Sequence, residues 1–465
     1  MFRHISRFRD PSRSLGPSYS RGRTWRMRAA ALAMTAATLA AGSAVGVAPV
    51  AAQAPTPASL NAAVPAATSE NARDVLARVR PSIVQIKGFF GTNTAHEFHG
   101  TGFAVADGGV FMTNYHVVAR KVQHPTKYRL EYRTPDGTTG ALEVLGVDVR
   151  HDLAIVKAAD HAPTPLTFVA AEPARGTRAY SVGFPLDVGL TITEGVSNGM
   201  VEESFEPRIH YSGAINGGMS GGPALDAAGN VFGVNVSHYR FQQLVSFLVP
   251  GRHAEALRAM VPAAPPLPAA LDAAIASQAR AHSASLIGAL AGPLATQVAA
   301  GYVLPGKLAP FVQCNASGTP DPNQPVQSVR INCQTKAGLF LQSGLQSGDL
   351  SFSHSVLSTE KLDPWRFTNR LSWNGAGFAA SGQRQHVGPF ACRDRSVKLN
   401  GFDAALTLCT RSYRKLADLY DFILVVKSLN GTQRGFASRL TMTGMEFEPA
   451  MAFIQRYVAA MEWKP

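Results

Sequence analysis

The sequence predicts an all-β domain over residues 82–250 followed by a mixed α+β domain to the C-terminus. Residues 82–250 are short apolar runs separated by Gly, Pro, Asn and Asp, the pattern of a barrel or sandwich. Residues 261–268 read Val-Pro-Ala-Ala-Pro-Pro-Leu-Pro, a proline-rich linker that fixes φ and removes backbone donors. Beyond it an alanine-rich stretch gives way to recurrent strand-like runs.

Taken in chain order, residues 1–52 are expected to be a signal peptide. They carry Arg3, Arg7, Arg9, Arg13, Arg21, Arg23, Arg26 and Arg28 against one acid, Asp10. An apolar stretch from Ala29 to about Val50 follows, and Val50-Ala51-Ala52 supplies small residues before a cleavage point. The stretch is long enough to span a bilayer as an uncleaved anchor. Its alanine richness favours cleavage, so no stable membrane insertion is expected and the protein is read as periplasmic or secreted. Residues 53–72 form an Ala/Pro-rich spacer. The first globular domain is expected over 73–260, with an amphipathic helix over 71–79 and a closing helix over 253–260. Residues 261–270 are the linker and 271–465 the C-terminal domain.

In that second domain residues 271–300 read as helix, broken near Gly292-Pro293. Val329-Arg330-Ile331-Asn332-Cys333 alternates apolar and polar, as a half-buried strand does. The runs at 338–341 and 422–426 are continuously apolar and suit buried strands, and 446–461 reads as a terminal helix. All four cysteines, Cys314, Cys333, Cys392 and Cys409, lie here. An even count in an exported chain implies disulfides, and four cysteines allow three connectivities. The preferred one is local, Cys314–Cys333 and Cys392–Cys409, because each closes a short loop. A metal site is disfavoured by the absence of Cys-x-x-Cys or a paired histidine spacing.

The formal net charge is +13, and more than half of it sits in the leader. The remainder has no basic stripe interleaved with aromatics, which argues against nucleic-acid binding. His96-Glu97-Phe98-His99 lacks the His-Glu-x-x-His spacing of a zinc helix and is read as a solvated strand edge.

The chemistry is concentrated in three segments. Gly217-Gly218-Met219-Ser220-Gly221-Gly222-Pro223-Ala224 surrounds a serine with residues that lack Cβ atoms, as a nucleophile turn with inward-facing amides requires. Thr113-Asn114-Tyr115-His116-Val117-Val118 supplies a candidate base, and His151-Asp152-Leu153-Ala154-Ile155-Val156-Lys157 places an acid at the mouth of a buried strand. Alone, such a histidine is commonly a core residue and such an aspartate a strand-end cap. In the order His116, Asp152, Ser220 they follow the chymotrypsin-type triad.

With those segments, Arg80-Pro81-Ser82-Ile83-Val84-Gln85-Ile86, Gly100-Thr101-Gly102-Phe103, Tyr180-Ser181-Val182-Gly183-Phe184-Pro185 and Ser246-Phe247-Leu248-Val249-Pro250 make residues 75–260 resemble the protease domain of HtrA (Deg) and related bacterial trypsin-like proteases. The resemblance implies a chymotrypsin-like double β-barrel and a serine endopeptidase acting on proteins or peptides. It assigns Ser220 as nucleophile, His116 as base, Asp152 as its orienting acid, and the amides of Gly218 and Ser220 as the oxyanion hole. It implies no cofactor or metal. Ala214, where a trypsin places its pocket acid, with Val245 and Leu248 as pocket residues, implies preference for small aliphatic side chains before the scissile bond. Met219 replaces the aspartate of digestive zymogens and the asparagine usual in HtrA proteins. No activation by N-terminal cleavage is therefore expected, and with glycines on both sides of Met219-Ser220, Gly217 replacing a bulkier family residue, the loop is expected to collapse at rest. The C-terminal domain does not resemble the PDZ domain common after this protease. No Phe, Tyr or Trp occurs over residues 53–87 to build a trimer contact, so a monomer is expected.

Two other readings carry different tests. Gly218-x-Ser220-x-Gly222 matches the α/β-hydrolase elbow, with Asp363 and His386 as downstream partners. That fold requires alternating strands and helices, which the preceding region lacks. In the other reading, the barrels are a silent or regulated scaffold and the C-terminal domain captures a partner.

Overall fold

The computed structural model describes residues 70–169, 171–238, 244–319, 321–372, 382–429 and 431–464. The expected signal peptide and nearly all of the spacer lie outside them. Helix α1 (Glu70–Val79) leads through a 3₁₀ turn into six strands: β1 (Ile83–Phe90), β2 (Phe98–Ala106), β3 (Val110–Thr113), β4 (Tyr128–Arg133), β5 (Thr139–Asp148) and β6 (Leu153–Ala158). They close in the order β1-β2-β3-β6-β5-β4, all pairs antiparallel. Helix α2 (Tyr115–Gln123) interrupts this barrel after β3. Strands β7 (Thr177–Gly183), β8 (Thr191–Met200), β9 (Ile209–Tyr211), β10 (Pro223–Leu225), β11 (Val231–His238) and β12 (Ser246–Pro250) close a second barrel, β10-β11-β12-β9-β8-β7. Helix α3 (Gly251–Arg258) ends it. The fold is the chymotrypsin-like double barrel. A parallel doubly wound sheet, which the hydrolase-elbow reading needs, is replaced by antiparallel pairing throughout both barrels.

Wholly apolar short strands account for the closure. Strand β3 is buried at every position and β6 at all but Lys157, because one face fills the barrel and the other meets a neighbouring element. Between the barrels, Phe103, Val105, Met112 and Ile155 of the first pack with Tyr180, Val182, Val234 and Val249 of the second. Val75 and Val79 of α1 join the same cluster.

Beyond the barrels lie α4 (Pro268–Ala289), β13 (Thr296–Ala299), β14 (Tyr302–Pro305), β15 (Gln313–Gly318), β16 (Gln327–Gln334), β17 (Leu339–Gln342), β18 (Leu345–Ser347) and β19 (Asp349–Ser358). Then come α5 (Pro364–Ser372), β20 (Ala391–Leu399), β21 (Phe402–Ser412), β22 (Leu419–Ser428), β23 (Arg434–Glu446), α6 (Phe447–Ala459) and β24 (Glu462–Trp463). A seven-stranded antiparallel sheet runs β15-β16-β19-β23-β22-β21-β20. Strand β22 is buried at almost every position, and β19 alternates buried and half-buried, as their apolar patterns require. The helix expected over 271–300 is shorter: α4 stops at Ala289, and residues 296–299 pair with β14 and, through it, β24. Gly292-Pro293 ends the helix, because proline offers no N–H to continue it. Cys314 and Cys333 are direct cross-strand partners with sulfurs 2.04 Å apart, as are Cys392 and Cys409 at 1.99 Å. Each pair ties an outermost strand of the sheet to its neighbour.

One apolar cluster crosses the domains. Val84, Phe111, Tyr115 and Val156 of the first barrel pack with Leu271, Ile275 and Ala279 of α4 and with Leu339, Leu341 and Leu345 of the β17–β18 hairpin. The described residues accordingly belong to one compact unit.

Candidate active site

Local backbone chemistry positions the acid–base pair. Asp152 sits just before β6 at φ 60°, a left-handed conformation that aspartate tolerates better than bulkier residues. Its carbonyl accepts from the Tyr115 N–H at 3.1 Å and from the Asn114 side-chain amide at 2.9 Å. Asn114 stands at the N-cap of α2, yet its side chain grips Asp152 rather than capping the helix. The Asp152 carboxylate accepts twice from His116: from the backbone N–H at 2.9 Å and from ring Nδ1 at 2.6 Å. With Nδ1–H committed to the carboxylate, Nε2 is the ring nitrogen left to take a proton. Burial acts to lower the pKa of His116, but the charge and hydrogen bond of Asp152 outweigh it and hold it above the ordinary histidine value.

The serine loop is built onto β2 and β11. The Ser220 carbonyl accepts from Thr101 N–H at 2.8 Å, and Thr101 Oγ1 donates to the Gly218 carbonyl at 2.7 Å. Asn235 is fully buried and holds the loop from below, its amide donating to Val182 O at 3.2 Å and Met219 O at 3.3 Å. The helix and the loop meet over Gly100. A Cβ there would lie 2.6 Å from Val117, the residue after His116, and 3.2 Å from Ser220 O. Gly218 has φ +98°, and a Cβ on it would lie 2.2 Å from Phe184 O. Only glycine permits that turn. Among the described residues, the N–H groups of Gly218 and Ser220 have no internal acceptor, and Ser220 Oγ makes no hydrogen bond. Two amides of one turn left without partners, one on the residue that bears the hydroxyl, are the donors an oxyanion requires.

Met219 is fully buried with Ile215, Phe232 and Leu248. The loop, expected to collapse at rest because of its flanking glycines, here buries its Met219 side chain in this cluster. Of the pocket candidates, Ala214 is exposed, Val245 half-buried and Leu248 fully buried beneath Met219. Asp363 and His386, the partners of the hydrolase-elbow reading, lie in the C-terminal domain. Asp363 receives the Arg366 N–H at the start of α5, and His386 sits against Gln342. Neither is hydrogen-bonded to the serine loop.

Several residues in the site carry no motif in the sequence. His99, read as a solvated edge, is half-buried beside the loop: a Cβ on Gly218 would come within 2.5 Å of its Nε2. Burial lowers its pKa. Its neighbour Glu97 is exposed, as a strand edge should be. Gln278 of α4 brackets the approach to Asp152, accepting from Val149 N–H at 2.7 Å and donating to Val147 O at 2.8 Å. The invisibility of both follows from their distance along the chain from the segments they touch.

Residues 100–234 match the family model described as Trypsin-like peptidase domain. Over those residues the chain is similar to trypsin-like peptidase domains. Serine protease HTRA1 of Xenopus laevis is 27% identical over 191 residues, covering 38% of this chain and 40% of that protein. The probable periplasmic serine endoprotease DegP-like of Chlamydia trachomatis is 36% identical over 146 residues, 30% of this chain and 28% of that protein. The chain therefore spans less than half the length of these relatives. Among solved structures, the active form of the Rv3671c protease of M. tuberculosis is 24% identical with TM-score 0.37, covering 42% of this chain and 86% of that one. Deg5 is 25% identical with TM-score 0.35, covering 40% of this chain and 91% of that one. The family match begins at Gly100 and ends at Val234, so it takes in the peptidase domain's two loops and helix α2 but none of the C-terminal domain.

Proposed function

We propose that this protein is an exported serine endopeptidase. The observation that carries the reading is the hydrogen-bonded His116–Asp152 pair on a helix that meets, over Gly100, a serine loop whose Gly218 and Ser220 amides have no internal acceptor among the described residues. Ser220 Oγ attacks the scissile carbonyl carbon while its proton passes to His116 Nε2. The carbonyl π electrons move onto oxygen, which accepts from the two amides. The imidazolium, stabilised through Nδ1–H by Asp152, then protonates the leaving amine as the C–N bond breaks. Water repeats the sequence on the acyl-enzyme, giving back Ser220 and the carboxylic acid product.

The substrates are proteins or peptides, with small aliphatic residues before the scissile bond. The uncharged side chains of Ala214 and Leu248 support that preference, since neither gives a cation a partner. Substrate profiling that returned a strong Arg preference would refute it. The basic, then apolar leader supports a periplasmic or secreted protein, and the DegP-like relative is described as periplasmic. The working oligomeric state is a monomer, checked by light scattering. The two cysteine pairs at bonding distance are taken as disulfides.

The deciding experiment compares residues 53–465 with Ser220→Ala for fluorophosphonate labelling and casein cleavage. Labelling and cleavage that vanish together in the variant are expected. A folded protein with neither signal would refute the reading and favour a silent scaffold whose C-terminal domain captures a partner.

A further inference from the structure

The β17–β18 hairpin of the C-terminal domain reaches the acid–base pair directly. Its anchor is Tyr115, the residue before His116, whose buried hydroxyl donates to Leu341 O at 2.7 Å. Leu339, Leu341 and Leu345 of the hairpin are buried in the core shared with the first barrel. Phe340, between two of these leucines and beside an irregularity in the strand pairing, packs against the edge of the same cluster. Its ring also stands edge-on to His116, with centroids 6.1 Å apart and planes at 80°. It lies 6.5 Å from the Tyr115 ring. Phe340 remains half-exposed, and the His116 side chain is 29% exposed. The ring thus sits between buried neighbours on the same strand and presents apolar surface beside the candidate base.

The attachment is not confined to the hairpin. Gln278 bonds the backbone on either side of Asp148, at Val147 O and Val149 N–H, and buried His282 of α4 lies 3.3 Å from Glu206, which also pairs with Arg150 at 2.7 Å. The C-terminal domain thus grips the Asp152-bearing loop and the His116-bearing helix together. A domain so fixed presents Phe340 as a stationary feature of the cleft.

We propose that Phe340 is a specificity-determining residue, forming an apolar wall of the substrate cleft and selecting an apolar substrate side chain adjacent to the residue that donates the scissile carbonyl. The proposal rests on the serine endopeptidase reading above. It gives the C-terminal domain a role in substrate choice that the peptidase-domain resemblance does not contain.

The test uses the chain from residue 53 with Phe340→Ala and Phe340→Leu. Peptides carrying Leu or Gly at each position flanking the scissile bond are compared by kcat/KM, beside the rate of labelling by a small alkyl fluorophosphonate. At one position Phe340→Ala is expected to cut the Leu-over-Gly preference by about tenfold, the scale of lost apolar contacts in a specificity pocket. Phe340→Leu is expected to fall between the two proteins on the same scale. A preference ratio is independent of the fraction of protein folded, so a poorly folding variant still reports. An unchanged ratio at every position, with or without loss of labelling, would overturn the proposal alone. Absence of labelling in the wild-type protein would overturn it together with the endopeptidase reading.

Discussion

At the scale of single residues, the site is governed by which groups have partners. Asp152 takes both the backbone and the ring N–H of His116, so its removal as a charge should alter tautomer and basicity together. Asp152→Asn is expected to lower kcat by about 10⁴-fold, the scale known for loss of the correct tautomer in such triads. The pH dependence has a definite sign. Because His116 is raised above the usual histidine value near ~6.5, the neutral base appears only as pH rises through that higher value. The acid limb of kcat/KM should therefore lie above ~6.5, and a limb below it would contradict the assigned role of Asp152. In stability terms, a raised histidine contributes most below its unfolded pKa and loses that contribution as pH rises through the folded one. Met219 makes a separate prediction. It is fully buried under the nucleophile, so Met219→Ala should destabilise by about 2–5 kcal/mol through cavity formation. Thermal melts beside labelling rates would check whether the loop loses order before the domain unfolds.

At the scale of elements, helix α4 and the β17–β18 hairpin act on α2 and on the end of β5. Gln278 satisfies one backbone N–H and one carbonyl there, Val149 N–H and Val147 O. Gln278→Ala should leave both unpaired and cost about 1–3 kcal/mol, read by chemical denaturation. If the denaturation midpoint were unchanged, water would be replacing the amide and α4 would not be restraining this segment. Elements were legible in proportion to how local their cause was. The continuous apolar run of β22 and the alternation of β16 were readable, as were α1, α3 and α6. The end of α4 was misplaced because alanine-rich sequence favours helix locally, while pairing with β14 claims residues 296–299. His99 was misread because its neighbour, Gly218, lies far along the chain.

At the scale of the whole molecule, a single apolar cluster joins the first barrel to α4 and the hairpin. A proline-rich linker usually separates domains that melt independently, but here the surface covering α2 belongs to the other domain. Calorimetry of the chain from residue 53 is expected to give one cooperative transition. Two resolved transitions would mean that the shared cluster contributes little. Reduction should act on the same transition. The cysteine pairs are separated by 19 and 17 residues, and each closes a loop worth about 3 kcal/mol in the chain-entropy model. A lower melting temperature under reductant is expected, and an unchanged one would argue that the cysteines are unpaired in solution.

The sequence by itself determined an all-β domain, the three segments bearing His116, Asp152 and Ser220, and the glycines around the serine. These are fixed by local constraints: short apolar strands between turn residues, and a loop that tolerates no Cβ at Gly218. Only the tertiary structure decided that Met219 anchors the loop by burial, that Asn235 and Thr101 hold its carbonyls, and that Phe340 stands beside His116. Those roles depend on contacts between residues far apart in sequence. Apolar packing has no directional signature in the chain, so a phenylalanine in a distant hairpin reads as core until the fold brings it to the site.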